Sequence, residues 1–294
     1  GYEKTLAAKG IKCCVFNRLV PVLSIHMNNR DHRKIAVIDG KTAFTGGVNL
    51  ADEYINAYER FGHWKDTAIM IQGEAVWNFT VMFLSLWDYA TGTVEDYTPY
   101  KLPAAQAQAY ASDGFVQPFC DSPLDEEPIG ENVYLNLIAQ AERYIYVNTP
   151  YLILNNVMLS ALCSAAKRGI DVRIVTPFHA DKWFVHSMTR SNYETLIESG
   201  VKIYEYTPGF LHAKSMLVDD IHAVVGTINL DFRSLYLHFE CGVYMYKTQS
   251  LRHLKEDYLD TLSKCQAITL ESCRAVRLPR RLGRTILRIF APLM

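Results

Sequence analysis

Residues 32–39 read His32-Arg33-Lys34-Ile35-Ala36-Val37-Ile38-Asp39, and residues 212–219 read His212-Ala213-Lys214-Ser215-Met216-Leu217-Val218-Asp219. Gly46 and Asn49 follow the first run, Gly226 and Asn229 the second. Each of the five recurring residues is 180 positions from its counterpart. One H-x-K-x4-D match is weak. Two in register, each with its downstream Gly and Asn, mark an internal duplication. The likeness spreads outward. Tyr2 to Lys12 parallels Tyr193 to Lys202, a helix end feeding a strand. Asp66 and Glu240 each open a later strand that precedes a segment with helical apolar spacing, Glu74–Ala90 and Ser250–Cys265.

The expected fold class is therefore α/β, with two pseudo-symmetric halves, each a mixed β-sheet flanked by helices. Expected boundaries are residues 1–105 for the first half, 106–272 for the second and 273–294 for a basic C-terminal segment, with a proline-rich join over Thr98–Pro128. The first half is expected to be incomplete. Only 31 residues precede His32, matching just a last helix (Tyr2–Ala8) and strand (Ile11–Phe16) of the series before His212, while Asn17–Asp31 forms a longer loop. About two strands fewer than in the second half, with exposed apolar side chains near Cys13–Phe16 or Ile35–Ile38, should result, because parallel strands normally have both faces covered. After Leu278, apolar residues recur every three or four positions opposite Arg277, Arg280, Arg281, Arg284 and Arg288, the pattern of a helix lying on an anionic bilayer.

Composition narrows the function. The net charge of −1 argues against an obligate nucleic-acid binder, which shows a basic excess. Seven cysteines with no C-x-x-C pair read as reduced thiols. Tyr144 to Ala166 carries no charge, but Asn148, Pro150, Asn155 and Asn156 break it into strand, loop and helix, not a membrane span. No H-E-x-x-H, carboxylate cluster or Cys/His set implies a metal or other cofactor.

Within each motif the run after lysine is a strand. Strand side chains alternate faces, so His32 shares a face with Lys34, and His212 with Lys214. Asp39 and Asp219 lie an odd number of positions from their histidines and should point away, in hairpin turns with a structural role. Gly46 and Gly226 would let backbone approach a ligand, and Asn49 and Asn229 would offer amide donors. Imidazole, ammonium and amide on one face suit a phosphate. Asp66 and Glu240, each downstream of its own motif, are candidates to hold an imidazole N–H. His63, His186 and His238 read as ordinary histidines.

These residues resemble the signature of the phospholipase D superfamily. The flanks Asp31-His32-Arg33-Lys34, Thr45-Gly46-Gly47-Val48-Asn49-Leu50, Phe210-Leu211-His212-Ala213-Lys214 and Gly226-Thr227-Ile228-Asn229-Leu230-Asp231 look like bacterial cardiolipin synthases. The resemblance implies two phospholipase D-like domains with the active site at their interface. It implies phosphatidyl transfer between two phosphatidylglycerols through a phosphohistidine, with one histidine as nucleophile and the other as acid and base. Pseudo-symmetry makes the two interchangeable, and His32 is taken as the nucleophile with His212 as acid and base. A phospholipase D hydrolase would use the same residues, and a nuclease would want a basic groove. The family implies phosphatidylglycerol and an anionic membrane surface as partners, no obligate protein partner, and a bacterial cell membrane location through N-terminal hydrophobic segments not seen here.

Overall fold

The structure is a computed structural model that describes residues 1–17, 29–107, 110–276 and 287. In the first half, α1 (Tyr2–Ala7) precedes β1 (Arg30–Asp31), β2 (Ile35–Ile38), β3 (Thr42–Gly46), β4 (His63–Lys65), β5 (Ala68–Gln72), α2 (Val76–Thr91) and α3 (Ala104–Ala107). The second half begins with β6 (Phe115–Asp121), α4 (Ile129–Gln140), β7 (Tyr144–Asn148), α5 (Asn156–Lys167) and β8 (Asp171–Pro177). There follow α6 (Trp183–Ser191), α7 (Tyr193–Glu198), β9 (Lys202–Tyr206), β10 (Gly209–Leu211), β11 (Ser215–Val218) and β12 (His222–Gly226). It closes with α8 (Phe232–Tyr236), β13 (His238–Tyr246), α9 (Ser250–Ser263), β14 (Cys265–Ile268) and α10 (Leu270–Arg274).

The duplication is visible in strand register. Antiparallel β2–β3 pairs Ile35 with Thr45 and Ile38 with Thr42; antiparallel β11–β12 pairs Ser215 with Val225 and Val218 with His222. Asp39 and Gly40, like Asp219 and Asp220, take positive φ in the intervening turns, as tight hairpins require. β3 then pairs with β5, and β12 with β13. Beyond that unit the halves differ. β11 continues into parallel β7–β8–β9, linked through helices and covered on both faces, so β7 is buried throughout. Among the described residues β2 is a sheet edge, and Ile38 and Met70 are 54% and 55% exposed.

Residues 11–16 lack the strand expected over Ile11–Phe16. They lie along α2 instead, with Cys14 Sγ 3.7 Å from the Ala90 carbonyl and the Phe16 ring 6.3 Å from Tyr89. Five strands occur in residues 1–105 and nine in 106–272 among the described residues, a wider gap than the two expected. Most of Asn17–Asp31 and of the basic tail lies outside the described residues. Leu287 packs against the small cluster of Ile153, Val185 and Met188. No helix among the described residues is long and apolar enough to cross a membrane.

One apolar cluster, from Ala43, Ile71, Val76 and Phe79 through Leu217, Val225 and Val243, joins the two halves. Each half also lends the other a strand. β1 pairs in parallel with β13, and β10 pairs in parallel with β4. These two short pairings aim the site.

Candidate active site

His32 leaves the end of β1 with its N–H on the Phe239 carbonyl at 3.0 Å, and His212 leaves β10 with its N–H on the Lys65 carbonyl at 2.7 Å. Each histidine is thereby fixed against the strand of the opposite half. The partners of the rings are crossed in consequence. His32 Nδ1 is 2.8 and 3.0 Å from the two Glu240 oxygens, and His212 Nδ1 is 2.8 Å from Asp66 Oδ2. Sequence order puts each carboxylate downstream of its own motif; in space it serves the other motif's histidine.

The carboxylates are held differently. Glu240 is fully buried and accepts a further hydrogen bond from the Thr227 hydroxyl. Asp66 accepts from the Thr67 N–H at 2.8 Å and the Trp64 indole N–H at 3.3 Å. Gly47 makes room for it, because a Cβ there would lie 2.1 Å from Asp66 Oδ1 and 2.8 Å from the His212 carbonyl. Gly46 and Gly226 were expected to approach a ligand. Instead they press on backbone, since a Cβ would lie 2.3 Å from the Thr67 oxygen or 2.4 Å from that of Cys241.

Lys34 Nζ donates to the His32 carbonyl at 2.6 Å, and Lys214 Nζ to that of His212. Both lysines influence both histidines, so the four groups form one site. Burial opposes charge there. It holds the His32 imidazole below its ordinary value and takes His212 to about 4, with Lys214 adding to the effect. It lowers Lys34 to about 8 and Lys214 to about 7. Burial also resists ionising Glu240, but His32, His238 and Thr227 outweigh it and hold the carboxyl at about 2. Two lysine Nζ groups and two imidazoles held as Nδ1–H in a desolvated cleft are an arrangement that could receive an anion's charge.

A consequence for stability follows. Lys214 falls from 10.5 when solvated to about 7 when folded, so across that window the unfolded chain binds the proton and the folded one does not. Stability should rise with pH through the window, and the cost of burying the ammonium should be full below it. Lys214→Met should melt no lower than the wild type at neutral pH and should keep only the smaller rise that Lys34, lowered to about 8, contributes, as calorimetry at two pH values within the window would show. A clear drop in melting temperature at neutral pH would contradict this.

Asn49 Nδ2 donates to the Tyr54 hydroxyl at 2.6 Å, and the Tyr54 ring is 5.5 Å from His212. Asn229 is buried, with its Oδ1 lacking a partner among the described residues. Asp39 is exposed at its turn. Asp219 is buried and accepts from the N–H groups of Glu142, Arg143 and Tyr144 at 2.7 to 2.9 Å, pinning β11 to the start of β7. Neither aspartate contacts the imidazoles. Sequence reasoning missed Tyr54, Thr227 and His238. His238 has a counterpart in the other half: Trp64 stands two residues before Asp66 and packs 5.1 Å from His212, while His238 stands two before Glu240 and packs 5.5 Å from His32.

Two α/β halves that bring one His–Lys pair each to a shared, carboxylate-backed cleft define a phospholipase D-type protein. Residues 134–261 match the family model described as "Cardiolipin synthase, PLD-like domain". The chain is 48% identical over 293 residues to an uncharacterized protein of Streptococcus mutans serotype c, covering all of this chain and 63% of that one. It is 38% identical over 294 residues to a cardiolipin synthase of a Geobacillus species, covering all of this chain and 58% of that one. Over its whole length the chain is similar to cardiolipin synthases, and over residues 134–261 to their phospholipase D-like domain. It spans about three fifths of the length of these relatives. The solved phosphatidylserine synthase of Haemophilus influenzae shares the fold, with a TM-score of 0.64 at 16% identity over 90% of this chain and 68% of that one.

Proposed function

We propose that this chain carries the phosphatidyl-transfer site of a cardiolipin synthase, joining two phosphatidylglycerols and releasing glycerol. The observation that carries the reading is the crossed pair of His–carboxylate contacts around two buried lysines. In the first step His32 Nε2 attacks phosphorus while its Nδ1–H stays hydrogen-bonded to Glu240, and His212, which the charge of the bound phosphate returns to its protonated form, gives a proton to the departing glycerol oxygen. In the second, His212 takes the proton from a hydroxyl of another phosphatidylglycerol, whose oxygen displaces His32. His32 is the better nucleophile because its side chain is 26% exposed, against 9% for His212. A fully buried glutamate beside it stabilises the positive charge of a phosphorylated imidazole.

Lys34 and Lys214 neutralise the phosphate, and phosphate in turn restores their protons, so substrate binding should take up protons near neutral pH. Asn49 and Asn229 are proposed to hydrogen-bond the phosphate or its neighbouring oxygens, and Asp39 and Asp219 to fix the hairpins. The lipid substrates place the reaction at an anionic bilayer surface. The test is incubation of the full-length protein with phosphatidylglycerol vesicles, with and without EDTA. Cardiolipin and free glycerol formed at equal rates in both are expected. Phosphatidic acid as the main product would make the protein a hydrolase, and activity abolished by EDTA would overturn the metal-free mechanism.

A further inference from the structure

His238 is an unused group beside this machinery. Its side chain is 12% exposed, and both ring nitrogens are buried without a hydrogen-bond partner among the described residues. Burying an imidazole in that state is costly, so the ring nitrogens call for a ligand. His238 Nδ1 is 3.8 Å from Glu240 Oε1, whose carboxylate already contacts His32 Nδ1 at 2.8 Å. His32, His238 and Glu240 each offer a ligand-type atom within 4.8 Å of the others.

From this geometry we propose an inhibitory zinc site formed by His32, His238 and Glu240. Two imidazole nitrogens and one carboxylate suit zinc better than magnesium or calcium, which take oxygen ligands. A tetrahedral ion with bonds of about 2.0–2.2 Å holds its ligands about 3.4 Å apart, so closing the site requires ring movements of little more than about 1 Å. His32, with a side chain 26% exposed, has room for that. Among the described residues, only one of the two pseudo-symmetric histidines, His32, has such a set of ligands beside it. In the other half the equivalent of His238 is Trp64, whose indole N–H has no lone pair for a metal.

The effect on chemistry follows from the tautomer and rests on the proposed role of His32. In the metal-free site the neutral ring keeps its proton on Nδ1, facing Glu240, and the Nε2 lone pair is free to attack phosphorus. Zinc takes the Nδ1 lone pair, so the same proton moves to Nε2 and no proton leaves the ring. Nε2–H cannot attack, and the neutral ring is a poor acid, so either assignment of the two histidines predicts arrest. Lys34 and Lys214 repel the cation, which makes the site weaker than a structural zinc site and its occupancy reversible.

The experiment uses full-length protein with Cys13→Ser and Cys14→Ser, because these exposed neighbouring thiols would themselves bind zinc. Cobalt absorption, with zinc as competitor, reports binding without reference to turnover. One reversibly held ion per chain is expected, with cardiolipin formation falling as it binds and EDTA restoring it. His238→Asn, or His238→Gln if the first does not melt cooperatively, should weaken binding by at least about tenfold and shift inhibition by the same factor relative to each variant's own metal-free rate. His32→Ala should weaken cobalt binding similarly. Equal binding by wild type and both classes of variant, or no binding at millimolar metal, overturns the site. Failure of the metal-free protein to make cardiolipin would instead overturn the proposed function and leave the binding result standing.

Discussion

Full-length protein carrying His32→Ala or His212→Ala is expected to form cardiolipin at least about 10³-fold more slowly than the wild type. The two losses should not add, because the rings act on one phosphorus in a single sequence of steps. A substrate with a leaving group that needs no proton, phosphatidyl-p-nitrophenol, separates their roles. With His212→Ala, His32 should still displace p-nitrophenolate, give a burst of one equivalent per chain, and then stall as a phosphohistidine. With His32→Ala no burst should appear. The reverse pattern would exchange the two roles. Bursts from both variants would remove the covalent intermediate from either histidine alone. The greater exposure of His32 and the complete burial of its Glu240 partner motivate the assignment.

The repeat made much of this legible. Ser215–Val218 and Ile35–Ile38 form strands with identical hairpin register because the two stretches share both the H-x-K spacing and the turn aspartate. Helices Val76–Thr91 and Ser250–Ser263 fall where apolar spacing places them. What the repeat does not encode is the exchange between halves. β1 and β10 are two and three residues long, too short to show periodicity, and each pairs with a strand distant in sequence. For that reason Asp66 and Glu240 are recognisable as buried acids near strands, while the histidine each serves is not. His238 was hidden for a related reason: its importance depends on which ring it faces, and only the β1–β13 pairing brings it to His32. Residues 11–16 failed as a strand because their counterpart, Lys202–Tyr206, pairs with Asp171–Pro177 and Cys265–Ile268, and no such neighbours flank them among the described residues.

The crossed pairing carries the second large effect. Glu240→Gln and Asp66→Asn each keep the shape of the side chain but remove the charge that holds an Nδ1–H, leaving the opposite tautomer free to form. Loss of such a carboxylate should cost about 10²- to 10⁴-fold in kcat with little change in KM, because the amide variants leave the lysines that bind phosphate in place. Glu240→Gln should be the more severe, since Glu240 is fully buried and holds His32, the proposed nucleophile. Kinetics alone would not show which ring each acid serves, but nitrogen NMR of the imidazoles would. Glu240→Gln should change the tautomer signature of His32 and leave His212 as it was, and Asp66→Asn should do the opposite. If each substitution instead disturbed the histidine of its own half, the exchange of strands between the halves would not be the device that orients the rings. The parallel pairing of Arg30–Asp31 with His238–Phe239 would then have to serve assembly alone.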